Sequence, residues 1–209
     1  MKSTFKEIIT SEKELREIMG ETSELATRKT IDHIDENSRI FINQSPFILI
    51  ASSDLKGNFD ISPKGDPSGF VKVLDKNTIA IPDRLGNRRA DTFMNVLQNP
   101  NVGLIFLIPG IKETLRVSGE AQIVTDNNVL ELLNHKGKLP KFALIINVKE
   151  VFMHCAKCII RSKLWANIDT KSKRIVPTLA KSLVDSGKLD KSYEEIDQII
   201  KNDEETELY

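Results

Sequence analysis

The chain of 209 residues is poor in several groups that mark common functions. It has two cysteines, Cys155 and Cys158, so no disulfide framework braces it. It has one tryptophan, and aromatic residues make up 6%. Its 30 basic and 30 acidic side chains leave no net charge. These last two facts disfavour a nucleic-acid-binding barrel, which needs basic residues interleaved with aromatics. Any anion site must be a local cluster. No apolar run approaches the roughly 20 residues that span a bilayer. The longest, VGLIFLIPG, is broken by Pro-Gly. The start, MKSTFKEIITSEKELREIM, shows no long apolar core and no small-residue cleavage pattern, so no signal peptide is expected. The expectation is a cytoplasmic protein with no membrane and no nucleic-acid partner. GxGxxG, Walker A, GxSxG and HExxH are also absent. Dinucleotide folds, nucleotide hydrolases, esterases and zinc peptidases therefore lose their signature support.

What is present is a change of period. The first 45 residues read as helical, with SEKELREIM opening on a capping-box pattern, Ser11 and Glu14. PFILIASS (46–53) and NFDIS (58–62) look like one hairpin, and FVKVL (70–74) with TIAIP (78–82) like a second. PKGDPSG (63–69), with two prolines and two glycines, reads as a loop. Asn87 is placed to cap a helix that carries Phe93, Val96 and Leu97 and stops before Pro100. NVGLIFLI (101–108), TLRVSG (114–119), AQIVT (121–125) and FALIINVKEVFMH (142–154) return to strand character, and PTLAKSLVDSG and SYEEIDQIIKNDEE to helix. Most connections are too short for parallel crossovers. The expected class is mainly β (α+β): a closed or nearly closed antiparallel barrel with peripheral helices at both termini. One domain is expected over 1–209, with N-terminal helices at 1–45, a barrel core at 46–154 and a C-terminal helical extension at 155–209.

Several stretches are candidates for chemistry. IPDRLGNRRADTF (81–93) puts Arg88 and Arg89 at the expected first helical positions, where free N–H groups and the helix dipole already make the backbone positive. That arrangement becomes favourable when a phosphate joins it, with Gly86 allowing close approach. The competing reading is solvated arginines, or pairs with Asp83 and Asp91. In SPKGD (62–66), Ser62 and Lys64 share strand parity and can face one site, or lie in a surface turn. Arg116, in ETLRVSGEA, alternates with Leu115 and Val117; it can reach a ring edge or face water. HCAKC (154–158) has Cys-x-x-Cys spacing, but no second ligand pair accompanies it, so two buried or half-buried thiols are expected. Residues 156–166 are ambiguous; on a helix Trp165 and Arg161 would share a face, and Trp165 could cover an aromatic ligand or plug the core, core packing being the stronger expectation.

In this order, SPFILIASSD, DISPKGDPSGFVKVLD, TIAIPDRLGNRRADTFMNVLQNPNVGLIFLIPG, ETLRVSGEAQIVTD and VFMHCAKCIIRSKLW resemble the pyridoxamine 5′-phosphate oxidase-like FMN-binding split barrels. The resemblance is closest to a subgroup of FMN-dependent proteins of unassigned substrate. It implies a six-stranded antiparallel split barrel, a homodimer, and two FMN molecules in grooves at the subunit interface. It implies that Lys64 with Asn87, Arg88 and Arg89 holds the FMN phosphate, and that Ser62 and Asp66 lie along the same strand end. Ile81 and Pro82 would run beside the isoalloxazine or ribityl chain, and Arg116 would face the flavin edge. The implied activity is electron transfer between FMN and a small organic substrate, with no catalytic acid or base assigned. The alternative is a non-catalytic flavin- or haem-binding or sensing protein. The chain departs from the vitamin B6 oxidases in RIVPTLAKSL (174–183). Arg174 and Pro177 are present, but Lys181 and Leu183 replace the Glu and Trp of their substrate-binding pattern.

Overall fold

The computed structural model describes residues 5–166, 176–187 and 190–206. The elements run in the order α1 (Glu12–Met19), α2 (Glu24–Arg28), α3 (Glu36–Gln44), β1 (Phe47–Ser53), β2 (Phe59–Gly65), β3 (Lys72–Val73) and β4 (Thr78–Pro82). They continue with α4 (Asp91–Val96), β5 (Asn101–Leu107), β6 (Thr114–Val124), α5 (Asn127–Leu132), β7 (Ala143–His154), α6 (Lys157–Ser162), α7 (Leu179–Gly187) and α8 (Tyr193–Thr206). No helix among the described residues is long and apolar enough to cross a membrane.

Side-chain oxygens start the first three helices. Ser11 accepts from the Glu14 N–H, Ser23 from Ala26 and Asp35 from Ser38. The Glu14 carboxylate reaches back to the Thr10 N–H, one residue before the position a capping box would use. Helix α1 buries none of its side chains.

The seven strands form one antiparallel sheet in the order β2-β1-β5-β6-β7-β4-β3. The expected α+β class is what the chain adopts. TLRVSG and AQIVT are one strand, β6, with an irregularity between Ser118 and Gly119. A Cβ on Gly119 would stand 2.2 Å from the Asn147 carbonyl oxygen, so only glycine lets β6 and β7 close there. PKGDPSG is not wholly a loop, because β2 runs on through Pro63 to Gly65. Its proline is tolerated because β2 is an edge strand, paired with β1 alone.

Register divides the sheet into two faces. Ser62, Ile50, Leu104, Val117 and Val151 form one cross-strand row, and Lys64, Ile48, Phe106, Leu115 and Met153 the next. The aliphatic and aromatic members of β1, β5 and β6 in these rows are the buried core, closed by Phe41 and Ile42 of α3 and by Ile79 and Ile81 of β4. Each such side chain contributes about 1.5–3 kcal/mol when fully removed from water. The opposite face carries the row Pro63, Leu49, Ile105, Arg116, Phe152. There Phe59 (80%) and Ile61 (66%) stand in solvent, with Phe47 and Leu55 exposed nearby.

The end of β7 overturns two expectations. Cys155 and Cys158 are free and exposed rather than buried. The chain leaves the sheet at His154, and α6 buries only Ile159. No group of three or more His, Cys, Asp and Glu side chains that could hold a metal occurs among the described residues. Trp165 is a surface side chain, with its indole N–H donating to the Ile111 carbonyl at 2.7 Å. Helix α6 ends at Ser162 and Lys163 turns left-handed (φ 53°), so Arg161 and Trp165 share no helix face.

Candidate functional site

A cavity of about 640 Å³ opens where the buried rows run out at the free edge of β2. That is a size suited to a cofactor or small ligand. Asp60, Ser62 and Lys64 enter it from one face of β2, as their shared parity requires, and all three are half-buried. Pro82 and Asp83 line it from the end of β4, and residues 84–90 fold over it. Thr92 and Phe93 of α4 face it, as do Lys141 and Phe142 just before β7.

Helix α4 is tied down by polar side chains. The Thr92 hydroxyl donates to Asp60 Oδ2 at 3.0 Å, and Asn95 Nδ2 to Ser52 Oγ at 3.1 Å. Phe93 meets Phe142 edge to face, centroids 4.7 Å apart. Lys64 Nζ lies 5.1 Å from the Phe93 ring centroid. A cation over an aromatic face is attracted by the ring quadrupole, so Phe93 holds the ammonium group at the cavity wall.

The arginine segment differs from the helix start expected of it. Asn87 is not the helix cap; its side-chain oxygen accepts from the Arg89 N–H at 3.0 Å, within the loop. Arg88 (φ 60°) and Ala90 (φ 57°) are left-handed, so the helix begins only at Asp91. Left-handed backbone costs a non-glycine residue roughly 1–2 kcal/mol. Strained non-glycine positions of this kind persist where the surroundings over-determine them, often at ligand sites. Arg88 and Arg89 therefore approach the cavity from a strained loop, and the helix-dipole argument for them falls away.

The three arginines have different tasks. Arg84 Nε pairs with Asp66, and its Nη2 donates to the Leu133 carbonyl at 2.9 Å. Arg89 Nε pairs with Asp91 at 2.8 Å. Arg88 is exposed, and among the described residues no ion pair holds it. The cavity wall carries five cationic side chains, Lys64, Arg84, Arg88, Arg89 and Lys141, against three carboxylates, Asp60, Asp83 and Asp91. Burial pushes the Asp83 carboxyl above its usual range, against the pull of Lys64, Arg84 and Lys141. The arrangement can neutralise a phosphate, and no histidine or cysteine lines it.

Of the residues singled out from sequence, Ser62, Lys64, Pro82, Asn87, Arg88 and Arg89 meet at this cavity. Asp66 follows the end of β2 but turns to Arg84, and Ile81 is in the core at 2% exposure. Arg116 stands on the opposite face of the sheet, its guanidinium carbon 5.0 Å from the Phe152 centroid. Arg174 lies outside the described residues, and Lys181 pairs with Asp185 on α7. Asp60 joins Ser62 and Lys64 at the cavity, and its shared parity with them is the signal in the sequence that points to it. Lys141 and Phe142 carry no local signal, because only the contact of Phe142 with Phe93, 49 positions earlier, brings the segment before β7 to the cavity.

The family described as pyridoxamine 5′-phosphate oxidase matches residues 34–155. Among solved structures, HupZ of Group A Streptococcus is 22% identical, with 57% of this chain and 93% of that one covered and a TM-score of 0.48. An FMN-binding protein of Syntrophomonas wolfei is 19% identical, covering 68% and 93%, TM-score 0.43. HutZ, the haem storage protein of Vibrio cholerae, is 14% identical, covering 57% and 93%, TM-score 0.40. No curated protein matches significantly.

Proposed function

The chain belongs to the pyridoxamine 5′-phosphate oxidase family, and from that premise we propose that it binds FMN and acts as an FMN-dependent oxidoreductase on a small organic substrate. The observation that carries the reading is the cation surplus of the cavity, with Lys64 steadied on Phe93 and Arg88 left without an ion pair among the described residues. Lys64, Arg88 and Arg89 take the phosphate, with Ser62 and the Asn87 turn beside them. Pro82 and Phe142 line the way to the ribityl chain. Bound FMN would supply two-electron transfer, and the protein would supply position and electrostatics.

The finer architecture belongs to the same reading. The sheet is taken as a six-stranded split barrel with β3 as a two-residue addition, forming one cytoplasmic domain. The uncovered apolar face of β1, β2 and β5 is where a second copy sits, giving a homodimer with FMN at the interface. Patches of this kind on soluble proteins mark contact surfaces. Arg116, on that same face, reaches the flavin edge only through such an assembly. A second reading is flavin or haem binding without turnover; the cavity wall, with no histidine or cysteine to ligate haem iron, favours flavin within that reading. Vitamin B6 oxidation itself is disfavoured, because Lys181 and Leu183 replace the substrate-binding pattern.

The test is the absorbance spectrum of the purified protein, followed by denaturation and identification of what is released. Flavin bands and released FMN are expected; a colourless protein that takes up no added FMN overturns the reading. Anaerobic addition of NADH or NADPH then separates the two versions. Bleaching supports the oxidoreductase, and no reduction by any physiological donor supports the binding protein.

A further inference from the structure

Beyond the cavity, the segment Cys155-Ala156-Lys157-Cys158 stands at the surface with both thiols free and exposed. Cysteine is ordinarily among the most buried residue types. These two are the only cysteines of the chain, and neither follows Ile159, in the same turn, into the core.

The backbone between them decides what they can do. Strand β7 ends at His154, and Cys155 leaves the sheet. Ala156 has right-handed helical angles (φ −71°, ψ −8°), and Lys157 opens α6. The Ile160 N–H donates to the Ala156 carbonyl at 3.0 Å, which closes the first turn. With both intervening residues helical, Cα atoms three positions apart stand about 5–6 Å from each other. A disulfide needs roughly 4.4–6.8 Å. The spacing of the backbone therefore admits a bond between the two sulfurs. A ring closed over so few residues restrains the unfolded chain less than a long loop does. Exposed at the surface, such a disulfide is a reactive bond rather than a brace.

The surroundings select the reactant. Lys157, Arg161 and Lys163 follow closely and are all exposed, while no Asp or Glu occurs from 151 to 166. Among the described residues none of the three cations is in an ion pair. Arg161 is three positions beyond Cys158 on α6, so the two are neighbours on the helix surface. A local surplus of positive charge draws an anionic reactant.

We propose that Cys155 and Cys158 form a reversible dithiol–disulfide site whose partner is an anionic low-molecular-weight disulfide. One cysteine gives up its proton, and its thiolate attacks the small disulfide. A mixed S–S bond forms, and one small thiolate leaves and takes up a proton. The other cysteine, as thiolate, attacks the protein sulfur of the mixed bond and expels the second small thiol. The protein loses two electrons and two protons, and the small disulfide gains both. Neither cysteine lines the cavity assigned to the FMN phosphate, and the inference does not depend on the flavin reading.

The experiment mixes the full chain, reduced and freed of reductant, with oxidised glutathione. Free thiols are counted, and the bond is located by mass spectrometry after trypsin, which cuts after Lys157 and leaves the bridged peptides joined. Complete loss of free thiol is expected, with Cys155 bonded to Cys158, no glutathione retained, and both thiols restored by excess reduced glutathione. Cys155→Ser and Cys158→Ser should each stop at one bound glutathione, with the unfolding midpoint as control. Lys157→Gln combined with Arg161→Gln should slow the reaction with oxidised glutathione several-fold at low ionic strength, but leave that with uncharged 2-hydroxyethyl disulfide within about twofold. Glutathione retained on both cysteines of the wild type overturns the pair. So does a bond formed only between two chains, or one that reduced glutathione does not reopen. Equal rates in wild type and the double variant, or equal slowing with both disulfides, overturn the anionic class of the partner.

Discussion

Arg84 Nε donates to Asp66 Oδ2 at 2.7 Å, and the two side chains keep only 17% and 2% of their surface in solvent. The pair joins the segment after β4 to the residue that follows β2, beside the cavity that Arg84 lines. Removing one partner takes from the other its buried ion pair, at a cost of up to about 3–5 kcal/mol. Asp66→Asn and Arg84→Met should each lower the urea midpoint by that measure, and the two together should cost less than the two losses added. Simple additivity would show that the pair is not coupled.

Arg88→Ala should weaken FMN binding by about 1.5–3 kcal/mol, the range for a hydrogen bond to a charged group, with no change in thermal midpoint. Arg89→Ala should cost less, because the Arg89 guanidinium is already shared with Asp91. Equilibrium fluorescence titration of the apoprotein with FMN measures both. Equal retention by wild type and Arg88→Ala would remove Arg88 from the phosphate site.

Asp83 is a carboxyl group held above its usual pKa by burial, inside a cavity read here as an anion site. Its negative charge opposes the phosphate. Asp83→Asn should therefore tighten FMN binding several-fold, an effect of about 1 kcal/mol for one charge at partly solvated range. The same titration reads it, and weaker binding would place Asp83 among the groups that hold the cofactor.

Most strands are legible because apolar runs or alternation mark them and the hairpins are short, although β6 reads as two strands and the end of β2 as a loop. The loop 84–90 is not. No residue type announces that Arg88 and Ala90 will be left-handed, and the sequence NRRADTF reads equally well as a capped helix. Pro63 within β2 was hidden for a different reason. Whether a proline can sit in a strand depends on whether that strand is an edge, which is a property of the whole sheet. Nothing local assigns a partner to Arg84, because that partner stands 18 positions earlier.

Gly119→Ala tests the β6–β7 approach. With 2.2 Å between the added carbon and the Asn147 oxygen, the strands must part. Overpacking of this kind costs typically about 1–3 kcal/mol. A urea midpoint equal to that of the wild type would show that the bulge yields freely.

His154 predicts a pH dependence. Its folded-state pKa is lowered from 6.5, first by burial and then by Lys29 and Arg116. Between that lowered value and 6.5 the unfolded chain binds the proton first, so stability falls as pH falls through this window. Above it the residue has no such effect. His154→Gln should flatten the stability profile between pH 6.5 and the lowered value. A slope identical to that of the wild type would assign the dependence to other groups.

Pro63 has a consequence for how copies of this chain can meet. A proline keeps the ladder to β1 intact only if its nitrogen faces away from β1, toward open solvent. The free border of β2 then lacks a donor at its centre, and a strand from another molecule cannot zip onto it without a gap. Growth by added strands is disfavoured at that border, so the pairing proposed above would go through broad-side contact across the exposed Phe59 and Ile61.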